Sequence, residues 1–195
     1  METVQTYHAG RLVVAVGDIT HFDGDALVNA ANSTLLGGGG VDGAIHRAAG
    51  PGLLAECRLL RATVLPQGLP TGKAVATGPG RLAVKGIIHT VGPIWSGGSA
   101  EAMRVDALLL ASAYRESLSV ASEHGWHDVA FPAISTGVYG YPKSAAAVVA
   151  SDTIGAWLGS NALPLRVWLV FFTRADADIF ITAVGAKPAP TAQSL

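Results

Sequence analysis

The feature that most constrains this chain is a regular alternation of short apolar runs with longer Ala- and Leu-rich segments. The short runs predict strands over Leu12–Val16, Ala26–Ala30, Lys73–Thr77, Gly86–Val91, Val129–Phe131 and Leu165–Phe172. The longer segments predict helices over Val41–Ala49, Leu53–Leu60, Ala102–His124, Ser144–Leu158 and Ala175–Val184. Strands that alternate with helices indicate an α/β fold. We therefore expect a three-layer α/β/α sandwich with a mixed, largely parallel central sheet.

Length fits one such domain. The chain has 195 residues, which is within the roughly 250 residues that a single core serves before chains split into domains. Because neither a linker nor an internal repeat is visible, residues 1–186 are predicted to form a single domain. The Pro-containing segment that begins at Lys187 predicts a flexible C-terminal tail over residues 187–195.

Composition excludes several classes of protein. A net charge of −1 argues against direct nucleic-acid binding, which normally requires a basic excess. The single cysteine rules out a disulfide framework and a Cys-based zinc cluster. No stretch reaches the roughly 18 uninterrupted apolar residues of a membrane-spanning helix, and the start of the chain lacks the pattern of a signal peptide. We therefore expect a cytoplasmic protein with no membrane partner.

Two glycine-rich turns stand where an α/β sheet binds ligands, beyond the carboxyl ends of strands. Gly37–Gly40 lies between the strand at Ala26–Ala30 and the helix that begins at Val41. Glycine allows backbone N–H groups to approach an anion closely, and a helix N-terminus adds partial positive charge. The turn therefore predicts a phosphate-binding loop, with a merely flexible turn as the alternative. It is not a P-loop, because no Gly-Lys-Ser/Thr follows.

The second turn, Ile134–Pro142, follows the strand Val129–Phe131 and has the same character. Two anion-binding loops suit a diphosphate that is held from both sides. Tyr139, which directly precedes a glycine, is predicted to project its ring over the ligand. The alternative is that Tyr139 packs on the surface.

Polar side chains surround these turns. Asn29 and Asn32 at a strand end offer amides to sugar hydroxyls. Asp42 and His46 are four residues apart on the predicted helix and so share a face. Asp18 follows the first predicted strand, where a carboxylate accepts hydrogen bonds from an exocyclic amine. Each has a structural alternative: Asp42 as a helix N-terminal carboxylate, His46 as an ordinary helix residue and Asp18 as a turn residue.

Taken together, six segments in order resemble the macrodomain family, in its MacroD-type ADP-ribosyl hydrolase branch. The resemblance covers the chain from about Leu12 to Val184, and it rests on Val16–Thr20, Asp25–Asn32, Leu36–Gly50, Thr71–Ala74, Ile88–Pro93 and Phe131–Pro142. A match to one segment arises by chance, whereas six in order do not.

The resemblance implies ADP-ribose as the ligand. It implies that Asp18 receives the adenine amine beside the backbone of Ile19, and that Phe172 stacks on the adenine. Asn29 and Asn32 are assigned to ribose contacts. The diphosphate is assigned to two loops, consisting of Gly38, Gly39, Gly40 and Val41 in the first, and Ser135, Thr136, Gly137, Val138 and Tyr139 in the second. Thr173 and Arg174 depart from the family pattern, in which acidic residues are frequent after the aromatic residue.

The resemblance also implies a reaction: hydrolysis of an ester on the distal ribose, with Asp42 and Asn32 as catalytic residues and His46 as an accessory. The substrates would be O-acetyl-ADP-ribose and mono-ADP-ribosylated proteins. Neither a metal nor a cofactor is expected. Two alternatives remain: a non-catalytic reader of ADP-ribosylated proteins, which does not need Asp42, and an ADP-ribose-phosphate phosphatase.

Overall fold

The computed structural model describes residues 1–185, so the predicted tail over residues 187–195 lies outside the described residues. The described strands are β1 (Glu2–Tyr7), β2 (Leu12–Val16), β3 (Ala26–Ala30), β4 (Ala74–Thr77), β5 (Gly86–Thr90), β6 (Asp128–Phe131) and β7 (Arg166–Phe171). The described helices are α1 (Gly40–Ala49), α2 (Pro51–Thr63), α3 (Ala100–Glu123), α4 (Lys143–Ser160) and α5 (Arg174–Gly185).

The strands form one mixed sheet in the order β1-β2-β7-β6-β3-β5-β4. From β2 to β5 all neighbouring strands are parallel, whereas β1 and β4 pair antiparallel at the two edges. The carboxyl ends of the parallel strands therefore meet along one edge of the sheet, as a largely parallel sheet was expected to arrange them.

Helices cover both faces of this sheet. Along β3, Ala26 and Val28 pack in one core with α3, α4 and α5, whereas Leu27 packs in a second core with α1 and α2. The same alternation holds in β5, where Ile88 faces the first core and Ile87 the second. This period of two separates the layers, and it confirms the expected three-layer sandwich.

Two elements were not predicted. The side chains of β1 are mostly exposed, so this edge strand lacks the apolar alternation that reveals a half-buried strand. A short 3₁₀ turn over Ile19–His21 is fixed by the Asp18 carboxylate, which accepts a hydrogen bond from the Thr20 N–H. Helix bounds differ by a few residues from the predictions, most in α2, which begins at Pro51 because proline is tolerated in the first turn. None of the helices within residues 1–185 is long and apolar enough to cross a membrane.

Candidate active site

A cleft lies at the carboxyl edge of the sheet, between the two glycine-rich loops. It consists of two adjoining cavities of about 220 and 250 Å³. Both are lined by Val41, Ala133 and Gly137, so they form one continuous groove. The first cavity is lined mostly by apolar side chains from α4, α5 and the end of β7. The second combines five glycines and the polar side chains of Asn32, Asp42 and Ser135 with alanine, valine and isoleucine residues. We call them the apolar cavity and the polar cavity.

The first glycine loop lines the polar cavity with Gly38, Gly39 and Gly40. Gly39 is the N-cap of α1 and has no side chain to occupy the helix terminus. A Cβ atom at Gly38 would lie 3.0 Å from Asp42 Oδ2 and 3.2 Å from Asn32 Nδ2. The missing side chain at Gly38 thus lets these two polar groups converge beside the helix N-terminus, which favours an anion.

The second glycine loop faces the first across the polar cavity through Ser135, Gly137, Val138 and Tyr139. Ser135 has a φ of 66°, in a region that side chains other than glycine seldom adopt. Its buried hydroxyl has no hydrogen-bond partner within residues 1–185. A strained residue with an unpaired hydroxyl at a cavity is typical of a ligand-binding loop.

Another loop supports this second glycine loop from outside. The Trp95 N–H donates to the Tyr139 carbonyl at 2.8 Å, and the Trp95 ring contacts the Tyr141 ring with centroids 4.6 Å apart. The buried Asp106 carboxylate of α3 in turn accepts hydrogen bonds from the Ser96 N–H and hydroxyl. Tyr139 itself is half-buried and lines the polar cavity, and the placement of its ring over the ligand stays a prediction.

Asp42 lies in the first turn of α1, and its side chain lines the polar cavity although the residue is only 5% exposed. Its Oδ1 accepts a hydrogen bond from Asn29 Nδ2 at 2.7 Å, whereas its Oδ2 is the oxygen nearest to Gly38. Burial raises the pKa of the Asp42 carboxyl above its ordinary value, although the Asn29 amide and nearby His46 lower it. A raised pKa makes this carboxylate a stronger base.

Asn32 lies next to Asp42 at the same cavity. Its Nδ2 donates to the Gly37 carbonyl at 3.0 Å, and its Oδ1 accepts from the Thr34 N–H at 2.9 Å. Arg61 of α2 holds this turn through a hydrogen bond to the Thr34 carbonyl. The amide of Asn32 is therefore fixed by its own loop at the rim of the cavity.

His46 and Asn29 lie behind Asp42. His46 Nε2 is 3.5 Å from Asp42 Oδ1, which confirms that the two side chains share a face of α1. Asn29 is fully buried and lines neither cavity. The sequence predicted a ribose contact for Asn29, but the structure places its amide on the Asp42 carboxylate, because position 29 of β3 faces inward under α1 and α2.

The residues predicted for adenine lie at the other end of the cleft. Gly17, which follows β2, donates to the Phe171 carbonyl at the end of β7, so the adjoining strands bring Asp18 and Phe172 to the same edge. Phe172 lines the apolar cavity with 80% of its surface exposed. Ile19 is buried in the core beneath α1, so only its backbone is available to a ligand.

The Asp18 carboxylate is half-exposed, and its side chain lines neither cavity. Its Oδ1 accepts from the Thr20 N–H and hydroxyl, whereas its Oδ2 lies 3.6 Å from His21 Nδ1. Burial is the largest single influence on the pKa of the Asp18 carboxyl and raises it, but the Thr20 hydrogen bonds and His21 together bring that pKa below its ordinary value. The adenine contact of Asp18 stays a prediction.

Among residues 1–185, no group of three or more His, Cys, Asp and Glu side chains is arranged to hold a metal ion. Cys57 is buried in α2 and packs in the core beneath it. His89 is buried in β5, and it lies 3.2 Å from the Asn29 amide, so it belongs to the surroundings of Asp42. Neither this contact nor the Trp95 support is visible in sequence, because each joins residues more than 40 positions apart.

The sequence is similar to that of known proteins over most of its length. The Macro domain family model matches residues 28–150. An O-acetyl-ADP-ribose deacetylase of Cronobacter turicensis is 53% identical over 178 residues, which covers 91% of this chain and 97% of that protein. A macro domain-containing protein of Streptomyces coelicolor is 59% identical over 174 residues, covering 89% and 98%.

The fold is similar to that of solved macrodomain structures. The Oceanobacillus iheyensis macrodomain with ADP has a TM-score of 0.86 and 41% identity, covering 93% of this chain and 94% of that chain. The Trypanosoma brucei macrodomain in complex with ADP-ribose has a TM-score of 0.80 and 34% identity, covering 95% and 75%.

Proposed function

This chain belongs to the macro domain family, and on that premise we propose that it binds ADP-ribose and hydrolyses an ester on the distal ribose. The substrates we propose are O-acetyl-ADP-ribose and proteins that carry mono-ADP-ribose on an acidic side chain. The name of the Cronobacter relative supports the first substrate, and the same bond chemistry supports the second.

The observation that carries this proposal is the position of Asp42. Its carboxylate is buried at the polar cavity, in the first turn of a helix whose N-terminus and glycine loop suit phosphates. A negative charge beside bound phosphates weakens binding, so a protein that only bound ADP-ribose would gain nothing from it. A base that activates water explains the carboxylate.

The two cavities support the following placement of the ligand. Adenine enters the apolar cavity and stacks against Phe172, and the diphosphate lies between the glycine loops at Gly38–Gly40 and Ser135–Gly137. The distal ribose then reaches Asn32 and Asp42, which lie together beyond the first loop. The hydroxyl of Ser135, buried without a protein partner within residues 1–185, is a hydrogen-bond donor for the diphosphate.

Hydrolysis then needs one base and good placement. Asp42 Oδ2 takes a proton from water, whose oxygen attacks the ester and displaces the ribose oxygen. The ribose oxygen takes up that proton from Asp42, so the carboxylate is regenerated and the products are a ribose hydroxyl and a free carboxylic acid. Asn32 fixes the ribose at the distance that this attack requires, since placement alone contributes much of the rate.

The test is turnover of two purified substrates by the wild-type protein: O-acetyl-ADP-ribose, and a carrier protein with ester-linked mono-ADP-ribose. We expect release of ADP-ribose together with acetate or unmodified protein, in buffer that contains EDTA. ADP-ribose binding without turnover of either ester would instead identify a reader. Turnover of ADP-ribose 1″-phosphate alone would identify a phosphatase.

A further inference from the structure

A row of polar side chains crosses the sheet beneath α1 and α2. Asn29 of β3 and His89 of β5 are paired in register on neighbouring strands, and Thr77 of β4 follows on the far side of His89. All three side chains are buried, with 0, 0 and 6% exposure, on a face that is otherwise a hydrophobic core. The proposed mechanism uses neither His89 nor Thr77.

The hydrogen bonds of this row have one consistent direction. Asn29 Nδ2 donates to Asp42 Oδ1 at 2.7 Å and lies 3.2 Å from His89 Nδ1. Because an amide nitrogen only donates, His89 Nδ1 must accept. The proton of the neutral ring then lies on Nε2, which donates to Thr77 Oγ1 at 2.9 Å, and the hydroxyl of Thr77 donates to the Gly78 carbonyl.

This arrangement fixes which way the Asn29 amide faces. Its nitrogen uses both hydrogens, one toward Asp42 and one toward His89, while its Oδ1 is buried with no partner within residues 1–185. Because the Thr77 hydroxyl donates to the Gly78 carbonyl, the ring keeps its proton on Nε2 and presents only a lone pair at Nδ1. A rotated amide would then direct Oδ1 at both the Asp42 carboxylate and this lone pair, and lose both hydrogen bonds. The acceptor on His89 therefore keeps an N–H, and not an oxygen, against Asp42.

We propose that His89 is a positioning residue for Asp42: through Nδ1 it holds the Asn29 amide so that Asn29 donates to the carboxylate. This inference rests on the proposed function, in which Asp42 is the base. The held donor stabilises the carboxylate form of Asp42 and directs its other oxygen toward Gly38 and the polar cavity.

The groups that surround the row are compatible with this role. Burial lowers the pKa of His89 to about 3, so its ring is neutral at working pH and Nδ1 remains an acceptor. Burial also raises the pKa of the Cys57 thiol to about 11, and Cys57 Sγ lies 4.0 Å from His89 Nε2. His46 of α1 is the other titratable group near both Asp42 and His89, with its ring centroid 6.3 Å from that of His89.

Two substitutions separate the two ends of the imidazole. In His89→Asn the side-chain oxygen stands near the position of Nδ1 and still accepts from Asn29. In His89→Gln the longer side chain reaches Thr77 near the position of Nε2, but no acceptor remains where Nδ1 was. The exposed His127, substituted in the same two ways, is the matched control. Thermal unfolding of every variant reports any loss of stability separately.

Two readouts are needed. The first is kcat on O-acetyl-ADP-ribose as a function of pH. We expect His89→Gln to lower kcat roughly 10- to 100-fold, the size of a lost hydrogen bond to a charged group. The acidic limb of its pH profile should move to higher pH, because the loss of the Asn29 donor raises the pKa of Asp42. His89→Asn should retain most of kcat, with the wild-type limb.

The second readout is the pKa of Asp42 itself, followed by carboxyl ¹³C NMR without substrate. It should rise in His89→Gln and stay near the wild-type value in His89→Asn. Equal kcat losses in both variants, with an unmoved Asp42 pKa, would overturn the positioning role and leave His89 as a packing residue. If the wild type turned over no ester, the proposed function would fail, while the NMR titration would still decide whether His89 acts on Asp42.

Discussion

The two ends of the cleft differ in how completely the protein builds them. At the Asp42 end, Asp42 is 5% and Ser135 7% exposed, and the Asp42 carboxylate is held by a hydrogen bond from buried Asn29. At the adenine end, Phe172 is 80% exposed, and the Asp18 carboxylate is half-exposed beside a short turn. Chemistry needs atoms held in place before the substrate arrives, whereas a stacking surface is completed by the base that covers it. Substitutions at the first end should therefore change rate, and those at the second should change affinity.

The largest effect is expected at Asp42. Asp42→Ala removes the base and should lower kcat on either ester about 10²- to 10⁴-fold, the usual contribution of general base catalysis. Affinity for ADP-ribose should stay the same or rise, because a negative charge near the diphosphate is lost. Single-turnover kinetics and calorimetry measure the two quantities. Asp178→Ala, on an exposed helix face outside the cleft, is the matched control. If Asp42→Ala turned over the esters at nearly the wild-type rate, Asp42 would not be the general base.

The free energy of unfolding should depend on pH because His89, near Asp42, is buried. His89 is neutral when folded, with a pKa of about 3, and titrates near 6.5 when unfolded. Protonation therefore favours the unfolded chain, and the stability from a neutral His89 is lost as pH falls below 6.5 toward 3. The loss is roughly 1.4 kcal/mol per pH unit.

Denaturant unfolding of the wild type and His89→Asn at pH 7, 6 and 5 isolates this contribution. The difference in unfolding free energy should shrink by roughly 2 kcal/mol between pH 7 and pH 5. Asp42 does not produce this trend: its raised pKa favours the folded protein at low pH. If the difference in unfolding free energy did not change with pH, the pKa of His89 would not be lowered in the folded protein.

At the adenine end, Phe172→Ala should weaken ADP-ribose binding by about 1–3 kcal/mol, the value of one base stacked on an aromatic ring. The value of kcat at saturation should stay close to that of the wild type, because Phe172 lines the apolar cavity and Asp42 the polar cavity. Phe172→Tyr keeps the stacking face and should bind normally. If Phe172→Ala lowered kcat and left the affinity for ADP-ribose unchanged, Phe172 would contribute to the reaction rate and not to binding.

The smallest effect is expected at Asp18. Asp18→Ala should weaken ADP-ribose binding by about 1 kcal/mol, because the amine loses an acceptor that is only half-buried. Asp18→Asn keeps one oxygen for Thr20 but puts an NH2 group in place of the second carboxylate oxygen, so it should lose the amine contact as Asp18→Ala does. Competition by guanosine diphosphate ribose tests the base: if it displaced a fluorescent ADP-ribose analogue as well as ADP-ribose does, Asp18 would not read the amine.

The sequence by itself determined the layers and the loops. The strands at β2, β3 and β7 were predicted within a residue, because buried parallel strands are continuous apolar runs that need no tertiary information. The glycine turns after β3 and β6 indicated anion loops, and the spacing of Asp42 and His46 placed both on one helix face, which the 3.5 Å separation confirms. β1 was not predicted, because a mostly exposed edge strand lacks the continuous apolar run of a buried strand.

Only the tertiary structure decided what stands behind these loops. The sequence predicted a sugar contact for the amide of Asn29, whereas the pleat of β3 turns that amide inward onto Asp42, where it lines neither cavity. His89 had no visible role, because its partner Asn29 lies 60 positions away and meets it only through the register of β3 and β5. Local sequence patterns determine which side chains share one face of a helix or strand. Hydrogen bonds between side chains of different strands exist only once the sheet has formed.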